Sequence, residues 1–525
     1  MGRLYEHQEI INTPEAKGMR TLPSARGTKI NFGNLKTKLS APLPTPQMVP
    51  RGRLHTHSDY AWLKTDAESE VHVKRTTYPL QQDPQTDELT EVFLPAQLHT
   101  EFAGLDDANW TPPESQIAAN ATRILVAGNS SLAVFDKSGA ELLNCRLSDV
   151  FGGLTSDAVI FNPKILFDQF SQNWVLAASA LGTDERDAWF LLAVSQTEDP
   201  LGDWWLWALD ARLDGIVRTP YWADGLGLAV DANSLYLTAN MFTGQGQFVY
   251  AKLRVLGKKE ALTGGLLQGW DFWQLRDADG SPAFGLQPAI NLRAAGAQYL
   301  LNATRDGQGV MQWTITQQSR QTPMLTRRFI PTTAFHLAPN AKSSTLGREL
   351  DTGDTRLSNV IFRHGLLWTA HTVAAYWGQG ANVSAIHWLQ INPRAGCVTQ
   401  QGIFGAPGRH YFCPAAMVDG EGNFLLAFNR ASETERPSLR YTGRSEADEQ
   451  NLLHASELLQ RSLVADATAW SASSGIAMAP DDPDMWIIGQ YAATEDDWAT
   501  WVGAVAFSTV EEESFDTYED HPIFV

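Results

Sequence analysis

NPKILFDQFSQNWVLAA, Asn162–Ala178, is the stretch on which the fold turns. Its apolar run Ile165–Phe167 is interrupted by Asp168–Gln172 and resumes at Trp174–Ala178, the pattern of two short strands around a polar turn. The same wording returns six more times. Upstream lies SQIAANATRILVA from Ser115. Downstream come LGLAVDANSLYLT from Leu226, QPAINLRAAGAQYLLNA from Gln287 and SNVIFRHGLLWTAH from Ser358. CPAAMVDGEGNFLLAF from Cys413 and SSGIAMAPDDPDMWIIG from Ser473 complete the set. Successive starts are 47, 64, 61, 71, 55 and 60 residues apart, and self-similarity at such a period marks a repeat architecture.

A third apolar segment follows every hairpin: SLAVF at Ser131, WFLLAV at Trp189, FVYAKLRV at Phe248, VMQWTI at Val310, AIHWLQI at Ala385, SLRYTG at Ser438 and TWVGAVAF at Thr500. What remains of each unit has room for an outer strand and a connection. Seven units of three or four antiparallel strands predict an all-β, seven-bladed β-propeller. Weak alternation fits inner strands buried on both faces, and the 3.6-residue periodicity of a helical solenoid is missing. ASELLQRSLVADA, Ala455–Ala467, is the one plausible helix and falls in a connection.

The propeller is expected over residues 111–510, preceded by an extended N-terminal arm over 1–110 and followed by an acidic tail over 511–525. APLPTP, Ala41–Pro46, reads as polyproline-like, and HVKRTTY (His72–Tyr78) and EVFLPAQL (Glu91–Leu98) as isolated strands. A ring must close or leave two open sheet edges, so one of those two strands is expected to complete the last blade.

Of 525 residues, 43% are hydrophobic and 19% charged, a globular composition with a net charge of −19. Residues 1–60 carry nine Lys/Arg against four Asp/Glu, so the body bears −24. An acidic body repels phosphate backbones, which argues against nucleic-acid partners. Cys145, Cys397 and Cys413 have neither disulfide-framework nor zinc spacing. The first 30 residues lack the apolar core of a secretory signal, and no run long enough to span a membrane occurs. A cytoplasmic location is the default expectation, with export by another route the alternative.

NPKILFDQFSQNWVLAA followed by WFLLAVSQTEDPLGDWWLWALD resembles a widespread, mostly uncharacterised bacterial group of seven-bladed propeller proteins. YWADGLGLAVDANSLYLTANMF (Tyr221–Phe242), FGLQPAINL and WATWVG are similar to later blades of that group, so the resemblance spans roughly residues 110–507. It implies the architecture and is silent on activity, because propellers host binding, scaffold and catalytic roles alike. Members of the group usually look exported, and this chain departs from them in lacking a leader.

Several residue sets carry possible chemistry. His55, His57 and Asp59 form an HxHxD pattern that can hold zinc, but the further ligands such hydrolases draw from later strands do not follow, so no metal is expected. Asp277-Ala-Asp279-Gly280 begins like a calcium loop and lacks its distal Glu, so a glycine turn is the better reading. GQGQ near Gly244 lacks the context of a phosphate loop, and no GxSxG occurs; no cofactor is expected. Arg409, His410 and Tyr411, with His371 and Tyr221, fall where loops surround a propeller mouth. A His base, a Tyr acid and an Arg that quiets a uronate carboxylate would suit a polysaccharide lyase. Trp204, Trp205 and Trp207 either stack on sugars or fill the gaps between blades. The leading expectation is a non-enzymatic binding or assembly module recognising a protein or glycan, with self-association through the basic arm. The lyase is the alternative.

Overall fold

The computed structural model describes residues 18–35, 47–48, 57–68, 80–84, 96–106, 110–129, 131–155, 157–183, 186–316, 323–343, 349–378, 380–464, 474–495 and 497–507. Ala41–Pro46, His72–Tyr78, residues 91–95 and the acidic stretch 511–525 lie outside them.

The hairpins form because their turns are built from short polar side chains that bond their own backbone. Asn120 Oδ1 accepts the amides of Thr122 and Arg123, and Asp231 Oδ1 accepts those of Asn233 and Ser234. Asp419 Oδ1 does the same for Glu421 and Asn423. This is the Asx turn recurring at equivalent positions of three units. The strands it joins are covered on both faces: every residue of Asn173–Gly182, Ser234–Phe242 and Phe424–Ser432 is buried. Each large apolar side chain so buried contributes roughly 1.5–3 kcal/mol. Alternation is absent because these strands have no solvent face.

The result is an all-β, propeller-like arrangement of antiparallel sheets. One runs Gln116–Ala119, Arg123–Ala127, Ser131–Asp136, Glu141–Arg146 from the inside outward. The next runs Ala158–Asp168, Asn173–Gly182, Ala188–Ser195, Asp203–Asp210. Their innermost strands lie side by side, followed by Trp222–Val230, Gln287–Asn291, Val360–Arg363, His410–Val418 and Ser474–Met478. Ser474–Met478 in turn lies against Gln116–Ala119. Gln287–Asn291 and Val360–Arg363 pair parallel through Ile290↔Ile361, fusing two neighbouring sheets into one of nine strands.

Described strands before residue 110 are sewn into this body. Met19–Arg20 adds to the edge strand Gly269–Trp273, and Thr28–Asn31 to Asp203–Asp210. Leu80–Gln82 pairs parallel with Cys397–Gly405. Ala96–Ala103 pairs antiparallel with Trp498–Phe507, from Phe507↔Ala96 to Trp501↔Ala103, and alternates between half-buried and exposed as an outermost strand does. Covering edges in this way removes templates for aggregation. Ala96–Leu98 of the expected Glu91–Leu98 enter this strand, which continues five residues beyond them.

Two expectations require correction. Over its described residues, 455–464, the expected helix Ala455–Ala467 is not formed: Glu457–Arg461 is the outer strand beside Glu435–Arg444, through Tyr441↔Glu457. Good helix formers there yield to an unpaired sheet edge, since tertiary context overrides a weak propensity. The N-terminal region is also not uniformly extended, because His57–Ala67 forms an α-helix. Tyr60, Leu63, Lys64 and Ala67 face inward at i, i+3, i+4 and i+7, and Lys64 is fully buried. A lysine at the centre of the inward face hides the amphipathic pattern.

Candidate functional site: an axial cavity

In or just before the innermost strands, the chain repeatedly enters the left-handed region. Glu114, Asn162, Gly225, Gly285 and Cys413 have φ of 44°, 55°, 66°, 67° and 52°. Each stands two residues before a paired position: Gln116↔Ala127, Lys164↔Ala177, Gly227↔Thr238, Gln287↔Leu301 and Ala415↔Ala427. In three units the ladder slips there, between Phe161 and Lys164, Asp224 and Gly227, and Phe412 and Ala415. Such bulges re-aim side chains, and non-glycine residues hold this conformation at about 1 kcal/mol or more each. The repeated device points toward a common axis.

On that axis lies a cavity of about 770 Å³, within the range of small-ligand sites. Six innermost strands reach it, through Gln116, Lys164, Leu226, Gln287, Pro414 and Ser474, and Ser358 lines it just before Val360–Arg363. Asn129 Oδ1 accepts the Asn162 amide at 2.6 Å, and Asn162 Nδ2 donates to Asp224 Oδ1 at 3.0 Å. Beside them Arg356 grips Asp354 with two bonds, Nε–Oδ1 2.8 Å and Nη2–Oδ2 2.7 Å, and lies 4.9 Å over the Phe284 ring. Burial pushes the Asp354 carboxyl up, but Arg356 outweighs it and holds the group below the usual range.

Lys164 differs from Arg356. Burial pushes its ammonium below the ordinary lysine value; Glu114 opposes the shift and Arg356 adds to it. No hydrogen bond or ion pair holds the Lys164 amine among the described residues. The lining as a whole is acidic: seven carboxylates, Asp66 and Asp306 among them, face three cations, Lys164, Arg305 and Arg356.

The helix His57–Ala67 forms one wall, through Tyr60, Leu63, Asp66 and Ala67. Tyr60 donates its hydroxyl to Asp351 Oδ1 at 2.9 Å. Lys64 Nζ donates to Ala338 O at 2.9 Å, to Thr352 Oγ1 at 2.7 Å and to Gly353 O. Burial lowers the Lys64 pKa to about 8 against the pull of Asp351 and Asp354. His57 and Asp59 of the HxHxD pattern lie in this helix and not in an extended arm.

None of the residues singled out from sequence for catalysis lines the cavity. His371 is buried, with Nδ1 2.7 Å from Thr355 O and Nε2 3.0 Å from His387 Nδ1, and burial lowers its pKa to about 4. His410 is buried beside Ser384 and pushed down to about 3, burial again leading. Tyr411 is buried and donates to Asp83 at 2.9 Å. Arg409 is half-buried in a turn closed on Ala406 O, and Tyr221 packs edge-on against Tyr250.

The tryptophans pack. Trp204 stacks on Phe32 at 4.4 Å and donates to Pro200 O; Trp207 donates to Gly265 O. Trp205 lies against Gly264, φ +68°, where a Cβ would meet its ring at 2.6 Å. Asp277–Gly280 is a tight turn, closed by the Gly280 amide on Asp277 O, with Asp279 Oδ1 accepting the Ser281 amide. Among the described residues no group of three or more His, Cys, Asp or Glu is placed to hold a metal ion, and no helix is long and apolar enough to cross a membrane. Asn162-Pro and Cys413-Pro open their repeat copies, and Asp224-Gly lies just before the copy that starts at Leu226.

No family model and no curated protein matches the chain. Among solved structures it is similar to Trypanosoma rangeli sialidase, with 9% identity and a TM-score of 0.35 over 75% of this chain. The match spans 58% of the sialidase chain, less than two thirds of it. The quinohemoprotein alcohol dehydrogenase of Comamonas testosteroni gives 12% identity and a TM-score of 0.36, covering 74% of this chain and 66% of that one. The WD40 domain of SCAP from fission yeast gives 10%, 0.33, 76% and 96%.

Proposed function

We propose that the chain closes as a seven-bladed propeller and acts as a non-enzymatic binding module, holding a neutral or amino-bearing saccharide in its axial cavity. The acidic lining carries this reading: seven carboxylates against three cations disfavour a polyanion and suit hydroxyl and ammonium donors. Phe284 and Phe335 supply apolar faces for a sugar ring, and Asn162, Asp224 and Gln287 supply hydrogen-bonding edges. Ring closure is supported by Ala96–Ala103 completing the sheet of Trp498–Phe507. Residues before 96, clipped to three other sheets, then serve as a strap from which partner binding or self-association is organised.

The lyase alternative has less support. Its substrate is a polyuronate, and its proposed base and acid are buried away from the cavity. Calorimetric titration of the full chain with chito-oligosaccharides, neutral oligosaccharides and oligouronates tests the proposal. Saturable binding of either of the first two classes, with none for uronates, is the expected result. Uronate binding accompanied by an ultraviolet-absorbing unsaturated product would replace it with the lyase.

A further inference from the structure

The innermost strands have a second end. Gln287–Asn291 starts at the axial cavity through Gln287 and finishes about 13 Å away in the turn 292–297, at roughly 3.3 Å per residue. Val360–Arg363 follows the same course into His364-Gly365. At this far end lies a pocket of about 450 Å³, lined by Arg293, Arg363, Arg394 and His364 around Tyr299 and Phe362. Three guanidiniums on one small pocket are unexpected in a chain of net charge −19.

None of the three arginines is paired with a carboxylate among the described residues. Arg363 is only 8% exposed, and its Nε has no hydrogen-bond partner. Its Nη1 is spent on Val418 O at 3.2 Å and on the Met478 sulfur at 3.1 Å, which fixes the guanidinium in place. Burial is the main influence lowering the Arg363 pKa; Arg293 adds repulsion, and Asp419 and Asp481 offset part of it. Asp419 offsets more than Arg293 adds, yet it makes no ion pair with Arg363, since its carboxylate accepts the amides of Glu421 and Asn423 and the Asn423 side chain. Arg363 is the buried cation of the three, with Arg293 and Arg394 exposed at the rim of the same pocket; a buried guanidinium with an unpartnered Nε, flanked by two unpaired cations, suits a ligand that supplies negative charge. The Tyr299 and Phe362 rings, with centroids 5.3 Å apart, give that ligand an apolar seat.

We propose that this pocket is a phosphate site, taking the dianionic phosphoryl group of a small ligand, either free or as an ester of a flat ring. A carboxylate would neutralise one of the three cations; a phosphate dianion neutralises two and matches the planar donors of guanidinium. The aromatic seat favours the ester.

The test is calorimetric titration of the full chain at fixed ionic strength with inorganic phosphate, phenyl phosphate and acetate. Saturable binding of phosphate in the millimolar range and of phenyl phosphate about tenfold tighter is expected, with acetate silent. Equal affinities would assign the site to free phosphate. Arg293→Ala and Arg394→Ala should each weaken binding about tenfold or more, whereas Arg218→Ala, on an exposed edge of another sheet, should leave it unchanged. Absence of saturable phosphate binding, or binding indifferent to both pocket substitutions, overturns the proposal.

Discussion

Asp83–Arg430 and Asp354–Arg356 are the same two ions in opposite circumstances. The first pair is 2% and 8% exposed, the second 18% and 36%. Around Asp83 every oxygen is used: Oδ2 accepts Tyr411, Arg430 and Ser456 Oγ, while Oδ1 accepts the Ser456 amide. Arg430 is held further by Glu435 through Nε and Nη2. A network satisfied in this way locks structure and leaves nothing to offer a ligand. Arg356 and Asp354 satisfy each other along one edge and turn the rest toward the cavity. Closed polar networks locate the fastenings of this molecule, and the half-open one lines the cavity proposed above to bind a ligand.

The largest effect expected from this contrast is loss of the fastening with its strand. Deleting residues 1–106 removes Asp83 and the outer strand Ala96–Ala103, opening the sheet of Trp498–Phe507 and leaving Arg430 without one of its two carboxylates. The truncated chain should lose cooperative unfolding by calorimetry, whereas deletion of residues 1–56 should retain it. If both truncations unfold cooperatively at similar temperatures, the N-terminal strand does not close the body.

Asp83→Ala comes next. It strips the acceptor from Tyr411, Ser456 and Arg430 together, and breaking a buried pair from one side typically costs 3–5 kcal/mol. Because Glu435 still holds Arg430, about 3 kcal/mol is expected, read as a shifted denaturation midpoint with unchanged slope. A loss below about 1 kcal/mol would show that the network is ornamental.

The same contrast explains what could be read from sequence. Hairpins such as Asn162–Ala178 are legible because turn chemistry and apolar runs are local. The helix His57–Ala67 is not, because its inward face carries Lys64, whose partners Ala338, Thr352 and Gly353 lie more than 270 positions away. The strand Glu457–Arg461 is set by a neighbouring edge and not by its own helix-forming composition. For the site, His371, His410 and Tyr411 attract attention by residue type, yet the fold spends them on interior bonds. The cavity is lined by Asn, Asp and Lys beside bulges, where only a backbone angle distinguishes them.

Asp354→Asn sharpens the comparison from the open side. The pair is partly solvated, so the stability change should stay within about 1 kcal/mol. Saccharide binding, if the axial cavity is its seat, should weaken about tenfold, because Arg356 loses the partner that orients it. A change confined to stability would make Asp354 a fastening like Asp83.

Lys164→Met should have the smallest effect, and its sign is opposite. Lys164 has no ion-pair or hydrogen-bond partner among the described residues, and burial lowers its pKa. A base whose pKa falls on folding binds fewer protons folded than unfolded in the window just below its ordinary value, so its contribution to stability rises with pH through that window. Below the window the folded state carries a charge it would rather shed. Replacing that charge by a thioether of similar length should therefore be neutral or stabilising, by about 1 kcal/mol or less near neutrality. The advantage of the variant should shrink as the pH climbs toward the ordinary lysine range. Chemical denaturation of both proteins in parallel at neutral and alkaline pH isolates the effect, since every other titrating group cancels in the difference. A destabilised variant, or a difference that does not move with pH, would mean that Lys164 is a fastened cation and that the axial cavity holds no spare charge for a ligand.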